Sequence, residues 1–253
     1  MKLVEEYAMA AVERNRRATI ARLGLEGSQP RQDAPWFTFS ASGDTLTMRV
    51  FGEIGSGNQD PAPLIEAIGK AREVGLWINS VGGNLDISKR IRTAIAGRKT
   101  TARIQRVASS AAAELAISAD LRLIEKSSRI MMHRTKSILL GNSDELREEA
   151  SRLDERDVEL VRYISERTFQ TAETVAGWLD AEKKFSASEA LAAGIAHQIV
   201  DDSPEPAAPP PLNPVELVLN AVRGLGRLDV TKEQKRLMFG ELTMWLKLNV
   251  IEE

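Results

Sequence analysis

The stretch "INSVGGNL", Ile78–Leu85, is the most informative part of this sequence. An apolar run, "LWINS", ends in a polar pair, and two adjacent glycines follow. The apolar run predicts a short buried strand. Two glycines directly after such a strand are typical of a place where the backbone closely approaches another group. The stretch therefore predicts a loop whose backbone contacts either another part of the protein or a ligand.

Strand patterns alternate with helix patterns on both sides of this stretch. Before it, residues 36–51 predict a hairpin with its turn at Ser42-Gly43-Asp44, and residues 60–75 predict a helix that starts at prolines and stops at Gly75. The alternation predicts βαβ units and an α/β fold with a largely parallel sheet. The patterns after the stretch are, in chain order, helix 85–97, strand 100–108, helix 110–120, strands 121–126 and 129–134, a long charged helix from about 144 to 168, helices 171–181 and 186–194, and strand 196–200.

The composition of the chain is that of a soluble globular protein, with 253 residues, 43% of them apolar and 28% charged. The formal net charge of -2 provides no field that would attract nucleic acid or an anionic membrane. Cysteine is absent, which excludes disulfides, thiolate nucleophiles and cysteine-based metal sites. Glutamates interrupt the first 27 residues and no apolar run approaches a membrane span, so we expect a cytoplasmic protein.

Four regions follow one another along the chain. Residues 1–35 predict an amphipathic helix and a linker, and residues 36–202 contain the alternating strands and helices. Residues 203–214, "SPEPAAPPPLNP", predict an extended, semi-rigid linker. Residues 215–253 predict a tail of two helices that is too short to form a robust domain alone. We therefore expect the tail to dock on a partner or a neighbouring subunit.

A serine pair and a histidine follow two later strands. Ser109 and Ser110 lie where a strand enters a helix, a position at which a serine commonly caps the helix or serves as a reactive group beside its first N–H groups. His133 is one of only two histidines and ends a strand. A lone histidine is usually structural. Since loops after parallel strands gather at one sheet edge, however, the glycines, the serines and His133 are predicted to lie close together.

These motifs resemble the Clp protease proteolytic-subunit family, and more loosely the signal-peptide-peptidase A branch and the phage head-maturation proteases. "INSVGG" is similar to the family's "INSPGG", "VASSAAAELAISAD" to its "AAS" segment, "RIMMHR" to its "MIH" motif, and "FSASEALAAGIAHQIV" to its closing segment. The likeness runs from about Thr45 to Asp202. It implies the ClpP/crotonase-like fold, in which repeated β-β-α units surround a mainly parallel sheet and a long helix protrudes.

The resemblance also implies a catalytic site. Ser110 matches the family's nucleophile and His133 its general base, while Gly83 and Ala111 match the residues whose N–H groups form the oxyanion hole. Imidazole can take the serine proton near neutral pH and return it to the leaving amine. A peptide or protein substrate is expected to lie extended beside the site and pair with a strand edge. The resemblance implies neither a cofactor nor a metal.

The remaining site residues are less directly matched. Gapless alignment gives Glu182 as the third member of a catalytic triad, and Asp180, two residues earlier, is the alternative acid. Both carboxylates could instead be solvated charges at a helix end, and the third acid could be absent. Gly82 and Asn84 are expected to contact the substrate, and His197 is interpreted as structural.

Three departures from the family pattern affect substrate choice and efficiency. Val81 replaces a usual proline, so the turn before the glycines is less restricted. Arg106 replaces a common glycine four positions before Ser110 and places a long cation near the site. Arg134 and Thr135 replace the residues that usually follow the histidine.

The first functional hypothesis is a serine endopeptidase that works inside a ring or stacked ring of identical chains. The long helix, with a capping signature at Ser143, is expected to contact a neighbouring subunit, although an ordinary salt-bridged surface helix would show the same charges. The chain lacks a phosphate-binding glycine loop, so an ATP-driven unfoldase would be a separate protein. The alternatives are a weakly active or inactive assembly protein, for example one related to phage heads, and a crotonase-type acyl-CoA enzyme. The apolar positions of the long charged helix, which would face a neighbouring subunit, include Leu146, Leu153, Leu160, Val161 and Ile164.

Overall fold

The computed structural model describes residues 35–204. The amphipathic helix predicted near the N-terminus, most of the Pro-rich linker and the helical tail lie outside the described residues. Within residues 35–204, none of the helices combines the length and the apolar character that crossing a bilayer requires.

An eight-stranded sheet forms the centre of the fold. The antiparallel hairpin of β1 and β2 is joined to β3, β4, β5 and β8 by parallel pairing in the order β1-β2-β3-β4-β5-β8. This arrangement confirms the predicted hairpin and the largely parallel sheet. The strands are β1 Phe37–Ser42, β2 Thr45–Ile54, β3 Glu73–Gly83, β4 Lys99–Ser109, β5 Leu121–Glu125, β6 Arg129–Met131, β7 Lys184–Ser186 and β8 Gln198–Val200.

Within residues 35–204, six α-helices connect or flank these strands, and a short 3-10 turn spans Ser56–Asn58. Their buried apolar side chains belong to one core that also contains the inward apolar side chains of the sheet. The helices are α1 Ala62–Lys70, α2 Leu85–Ile95, α3 Ala111–Ile117, α4 Ser143–Thr168, α5 Ala172–Asp180 and α6 Ala187–Ala192.

The two faces of the sheet differ in what covers them. Alternate residues of β3, such as Leu76 and Ile78, are fully buried in the core. The residues between them, such as Trp77, are only partly buried on the other side. Since β2 to β5 follow chain order across the sheet, right-handed crossovers place α1, α2 and α3 on the same side. We call the opposite side, which includes Arg49, Trp77 and Arg103, the open face.

Two element boundaries differ from the sequence-based prediction. The helix predicted to stop at Gly75 ends at Lys70, because β3 already begins at Glu73 and the N–H groups of Arg72 and Glu73 bond to the Asp44 carbonyl. Gly75 lies inside β3.

The long helix α4 is capped by a different residue from the one its sequence suggests. Its cap is Asn142 rather than the predicted Ser143. The Asn142 side chain accepts from the N–H groups of Asp144 and Glu145, and the Glu145 carboxylate accepts from the Asn142 N–H in return.

Only the second half of α4 packs against the rest of the described structure. Its buried residues are Asp157, Leu160, Ile164 and Thr168. In the first half almost every residue is exposed, including the large apolar Leu146. The helix therefore extends beyond the core, as a long protruding helix was predicted to do.

Candidate active site

The candidate nucleophile lies at a sharp bend between β4 and α3. Ser109 is fully buried and its hydroxyl points to the sulfur of Met131 at 3.7 Å. Ser110 is partly exposed and has φ 54 and ψ -126, which few residues other than glycine adopt. Such a conformation costs about 1–3 kcal/mol and is typical of functional sites. Within residues 35–204 the Ser110 side chain makes no capping bond to α3, so helix capping does not explain it.

The two glycines of the opening stretch each approach a different part of the protein. Gly82, at φ 97, lies so near the bend that a Cβ there would stand 2.6 Å from the Ser109 carbonyl oxygen and 2.8 Å from the Ser110 Cβ. Gly83, at φ 135, lies against β2, where a Cβ would stand 2.5 Å from the Ile54 carbonyl oxygen. The glycines therefore pack the end of β3 against both the serine bend and β2. The approach of this loop to a substrate carbonyl stays a prediction.

The predicted oxyanion-hole residues lie on the two segments that meet at this contact. Ala111 is the first residue of α3, and its carbonyl accepts a hydrogen bond of 2.9 Å from the buried Ser88 hydroxyl. On the other segment, the Ser80 hydroxyl donates to the Gly52 carbonyl at 2.6 Å and accepts from the Gly82 N–H at 3.2 Å. Hydrogen bonds with serine hydroxyls in the protein interior thus hold both segments and give their backbone groups a defined position.

The end of β4 carries an irregularity just before Ser110. The parallel register of β3 and β4 shifts between the pairs Ile78–Ile104 and Ser80–Ala108, so β4 contains two more residues than β3 there. Arg106 lies in this bulge with φ 57, a left-handed conformation that favours glycine. A glycine, which the resembling pattern has here, would adopt this conformation without strain. The exposed Arg106 is also the long cation predicted near the site.

His133 is brought to the same region by backbone pairing. Strand β6 pairs in parallel with the end of β4, and the Ser110 N–H donates to the Met131 carbonyl at 3.0 Å. Two residues after Met131, the chain reaches His133. The Met132 N–H donates to the Lys183 carbonyl at 3.3 Å. Because Lys183 directly follows Glu182, this bond brings the segment of Glu182 to the same region. The sheet therefore gathers the segments that carry all three predicted triad residues.

The Nδ1 atom of His133 lies 2.5 Å from the Arg134 carbonyl oxygen. Because a carbonyl only accepts, Nδ1 carries the proton and Nε2 is left as the basic nitrogen. Within residues 35–204 no direct hydrogen bond joins His133 to Ser110. Burial lowers the pKa of His133 below the ordinary 6.5, and the charge of Lys136 lowers it further. The Arg134 carbonyl and the carboxylates of Glu182 and Asp157 oppose this effect.

With His133 in its predicted role as general base, its lowered pKa predicts that peptide hydrolysis persists into mildly acidic solution. Nε2 must be unprotonated to accept the serine proton, so kcat/KM should fall only as pH passes downward through the folded-state pKa, which lies below 6.5. The stability of the fold should change in the same direction. The unfolded chain binds this proton more readily, so the free energy of unfolding decreases as pH falls through this range. A pH profile of kcat/KM for a fluorogenic peptide gives the midpoint. A midpoint above 6.5, or a flat profile with chemistry rate-limiting, would contradict the assignment.

Both candidate acids form ion pairs with the segment that follows His133. The Glu182 carboxylate accepts from the Lys136 ammonium at 2.6 Å. The Asp180 carboxylate pairs with the Arg134 guanidinium, whose hydrogen bond lowers the pKa of Asp180. Of the two acids, Glu182 is the one whose charge acts on His133. This favours Glu182 over Asp180, and the third triad member stays a prediction.

Asp157 is a site residue that the sequence analysis missed. It lies on α4 and is only 6% exposed. Its carboxylate accepts from the Thr135 N–H at 2.7 Å and from the Arg134 guanidinium at 3.3 Å. The protruding helix therefore anchors the segment just after the histidine. A sequence signal existed, since Asp157 falls at helical spacing on the stripe that Leu160 and Ile164 continue into the core.

Two other predicted assignments can be compared with the structure. The Asn84 side chain caps α2 by accepting from the Ile87 N–H at 3.0 Å, and its predicted contact with substrate stays a prediction. His197 accepts from the Arg122 N–H at 3.2 Å, which fits the structural role predicted for it.

Comparisons with known proteins agree with this description. The structure is similar to that of a ClpP1 point mutant from Listeria monocytogenes, with a TM-score of 0.54 and 22% identity over 62% of this chain and 91% of that chain. This likeness confirms the predicted fold. A search of curated proteins finds no match. The sequence profile described as Clp protease matches residues 63–203, which is more than half of the chain. The chain therefore belongs to the Clp protease family.

Proposed function

We propose that this protein is a serine endopeptidase that hydrolyses peptide bonds with Ser110 as nucleophile and His133 as general base. Membership of the Clp protease family indicates a protease in general. The observation that carries the finer assignment is the serine bend. Ser110 is partly exposed in a strained conformation and is tied by its N–H to the strand that leads to His133. Its neighbour Ser109 is buried and cannot meet a substrate.

The proposed reaction follows from the chemistry of these groups. His133 Nε2 takes the Ser110 proton as Oγ attacks the substrate carbonyl carbon, and a tetrahedral oxyanion forms. The N–H groups of Gly83 and Ala111 donate to that oxyanion, and the loss of one such donor typically costs about 3–4 kcal/mol of transition-state stabilisation. His133 then gives the proton to the leaving amine. His133 then takes a proton from water as the water oxygen attacks the acyl-Ser110 ester, and it returns this proton to Ser110 Oγ as the ester bond breaks and the carboxylic acid product leaves.

The third carboxylate would hold the His133 ring and stabilise its charged form during the reaction. We assign this role to Glu182, with Asp180 as the alternative. In the described structure, Nδ1 faces the Arg134 carbonyl and Glu182 faces Lys136. A backbone carbonyl is a weaker partner for an imidazolium than a carboxylate is. We therefore expect a carboxylate contact from Glu182 to increase the rate over that reached with the carbonyl partner alone.

Labelling with a fluorophosphonate tests the proposed nucleophile directly. We expect one equivalent of probe per chain, attached to Ser110 in the peptide map, because only an activated serine reacts rapidly with this reagent. Ser110→Ala should prevent labelling and Ser109→Ala should leave it intact. The absence of labelling on a folded, assembled protein would favour the assembly-protein alternative. Copurifying CoA would favour the acyl-CoA alternative.

We propose further that the active form is a homo-oligomeric ring or stacked ring in the cytoplasm and that any ATP-driven unfoldase is a separate partner. The exposed first half of α4 supports this proposal, since an amphipathic helix seldom extends without a neighbour to cover it. Leu153, in that half, is only partly buried by its own chain.

Leu153→Glu is expected to split the assembly and to reduce peptidase activity together. A buried charge in the contact would destabilise it. The loss of activity follows because the same helix holds the segment after His133 through Asp157. Sedimentation velocity and a fluorogenic-peptide assay measure the two effects, and Leu153→Met, which nearly preserves the side-chain volume, is the matched control. A monomeric variant with full activity would show that the site forms without assembly.

A further inference from the structure

Lys136 is a residue of the site for which the proposed reaction has no role. It lies three residues after His133, and its ammonium donates to the Glu182 carboxylate at 2.6 Å. The Lys136 side chain is 51% exposed and the Glu182 side chain 31% exposed. The pair is therefore partly shielded from water, which strengthens its attraction relative to a fully exposed pair. The candidate acid is thus bound by a cation of the segment that carries the histidine.

Glu182 occupies a backbone position that usually favours glycine. It follows α5 in the left-handed conformation, with φ 46. The Glu182 N–H donates to the Leu179 carbonyl at 3.2 Å and the Lys183 N–H to the Trp178 carbonyl at 2.9 Å, two bonds that end many helices at a glycine. A side chain at such a position strains the backbone, and strain of this kind is typical of functional sites. Local folding therefore gives no reason for a carboxylate here, whereas a role at the site does.

The His133 ring is within the electrostatic reach of both members of this ion pair. Burial lowers the pKa of His133 most and the Lys136 charge lowers it further, while the Arg134 carbonyl and the charges of Glu182 and Asp157 raise it. These charged groups lie on three elements, since Lys136 is on the histidine's own segment, Glu182 precedes β7 and Asp157 is on α4. Nδ1 of the ring faces the Arg134 carbonyl at 2.5 Å. Glu182 is thus close enough to act on the ring while its carboxylate binds Lys136.

We propose that Lys136 is a positioning residue that holds Glu182 away from His133 and keeps the proposed site in a state of reduced activity. When Lys136 releases Glu182, the carboxylate accepts from the Nδ1–H of His133 in place of the Arg134 carbonyl. A hydrogen bond between charged groups is roughly twice as strong as one to a neutral acceptor, and it stabilises the imidazolium that forms when His133 takes the Ser110 proton. The effect on hydrolysis rests on the proposed function, whereas the competition for Glu182 does not.

The pKa of His133 tests this competition without any need for hydrolysis. The chain has two histidines, so His197→Gln leaves His133 alone, and its modification by diethyl pyrocarbonate follows the neutral fraction of the ring. In this background Lys136→Met, which keeps the side-chain length, should raise the pKa of His133. The lost charge acts directly, and the approach of Glu182 adds to its effect. Lys136→Met should therefore increase the proton-binding constant about tenfold more with Glu182 present than in a Glu182→Gln protein.

Two further variants serve as controls for the pKa comparison. Lys136→Arg keeps a cation that can bind Glu182, and the pKa should stay near that of the parent protein. Lys70→Met removes a lysine from a similar ion pair on α1, where Lys70 donates to Glu66 at 2.7 Å, and should change nothing at His133. Equal increases from Lys136→Met with and without Glu182 would show that Lys136 acts only through its own charge, and this result would overturn the proposal.

Peptide kinetics test the consequence for the reaction. At a pH well above the midpoints of all variants, Lys136→Met should raise kcat/KM for a fluorogenic peptide about tenfold, and the gain should vanish in Lys136→Met, Glu182→Gln. An unchanged rate in Lys136→Met, alongside an active parent protein, would overturn the claim that this contact limits activity. If no protein hydrolyses peptide or reacts with fluorophosphonate, the proposed function fails, and the pKa comparison still decides whether Lys136 and His133 compete for Glu182.

Discussion

Ser110→Ala is expected to leave the protein folded and assembled and to reduce peptide hydrolysis by about 10⁴-fold or more. The change removes the atom that would bond to the substrate carbonyl, and the buried hydroxyl of Ser109 cannot replace it. Stability should change little, because the Ser110 hydroxyl makes no capping bond within residues 35–204 and alanine meets the same backbone strain. Turnover of a fluorogenic peptide and the thermal melting temperature measure the two quantities.

Ser109→Ala is the matched control for this prediction. It removes one hydroxyl from the adjacent residue and loses only a weak contact with the Met131 sulfur. Activity should therefore stay near the native level. The reverse result, with activity kept in Ser110→Ala and lost in Ser109→Ala, would move the nucleophile by one residue. Activity in both variants would require a different mechanism.

Gly82→Ala should have the next largest effect, although it adds only one methyl group. That methyl would stand 2.6 Å from the Ser109 carbonyl oxygen and 2.8 Å from the Ser110 Cβ, and the φ of 97 strains any side chain. The serine bend must shift to relieve the overlap. A displacement of about 1 Å at a reacting group can cost about 100-fold in rate. We also expect a loss of about 1–3 kcal/mol of stability from the backbone strain.

Gly69→Ala is the control for the glycine change. Gly69 lies in α1, where a Cβ would meet no atom within 4 Å. Alanine there should raise stability by about 0.5–1 kcal/mol, because glycine is a poor helix residue, and should leave kcat/KM unchanged. Denaturant unfolding and peptide kinetics on both variants give the comparison. Native activity in Gly82→Ala would mean that the bend is not held by this contact.

Much of the fold was predictable because the spacing of apolar residues distinguishes strands from helices along the chain. The hairpin of β1 and β2 has a glycine at its turn, and α4 has a complete cap and a long charged pattern. The errors came from residues whose state depends on distant partners. Gly75 reads as a helix stop, yet its place is set by pairing with β2 and β4. Strand β7 is only three residues long, and only its pairing with β6 reveals it.

The candidate site was predictable to a different degree for each residue. Family motifs indicated Ser110 rather than Ser109, and the structure adds the physical reason, which is that one hydroxyl is buried and the other is not. The surroundings of the acids were not predictable. The partners of Asp180 and Glu182, which are Arg134 and Lys136, lie 46 residues earlier in the chain. Local patterns contain no information on such pairs.

Strands β1 to β5 lie side by side in the order in which the ribosome makes them. Each new strand can therefore pair with one that has already left the ribosome, and this part of the sheet can form progressively during synthesis. The segment of His133 is different, because β6 pairs not only with β4 but also with β7, and the Met132 N–H bonds to the Lys183 carbonyl about 50 residues later. Strand β5 likewise pairs on its other side with β8, which is made about 75 residues later. A nascent chain can therefore form the serine bend and its pairing with β6 before the later contacts of the His133 segment exist, so we expect the proposed peptidase to become fully active only when almost the whole domain has been translated.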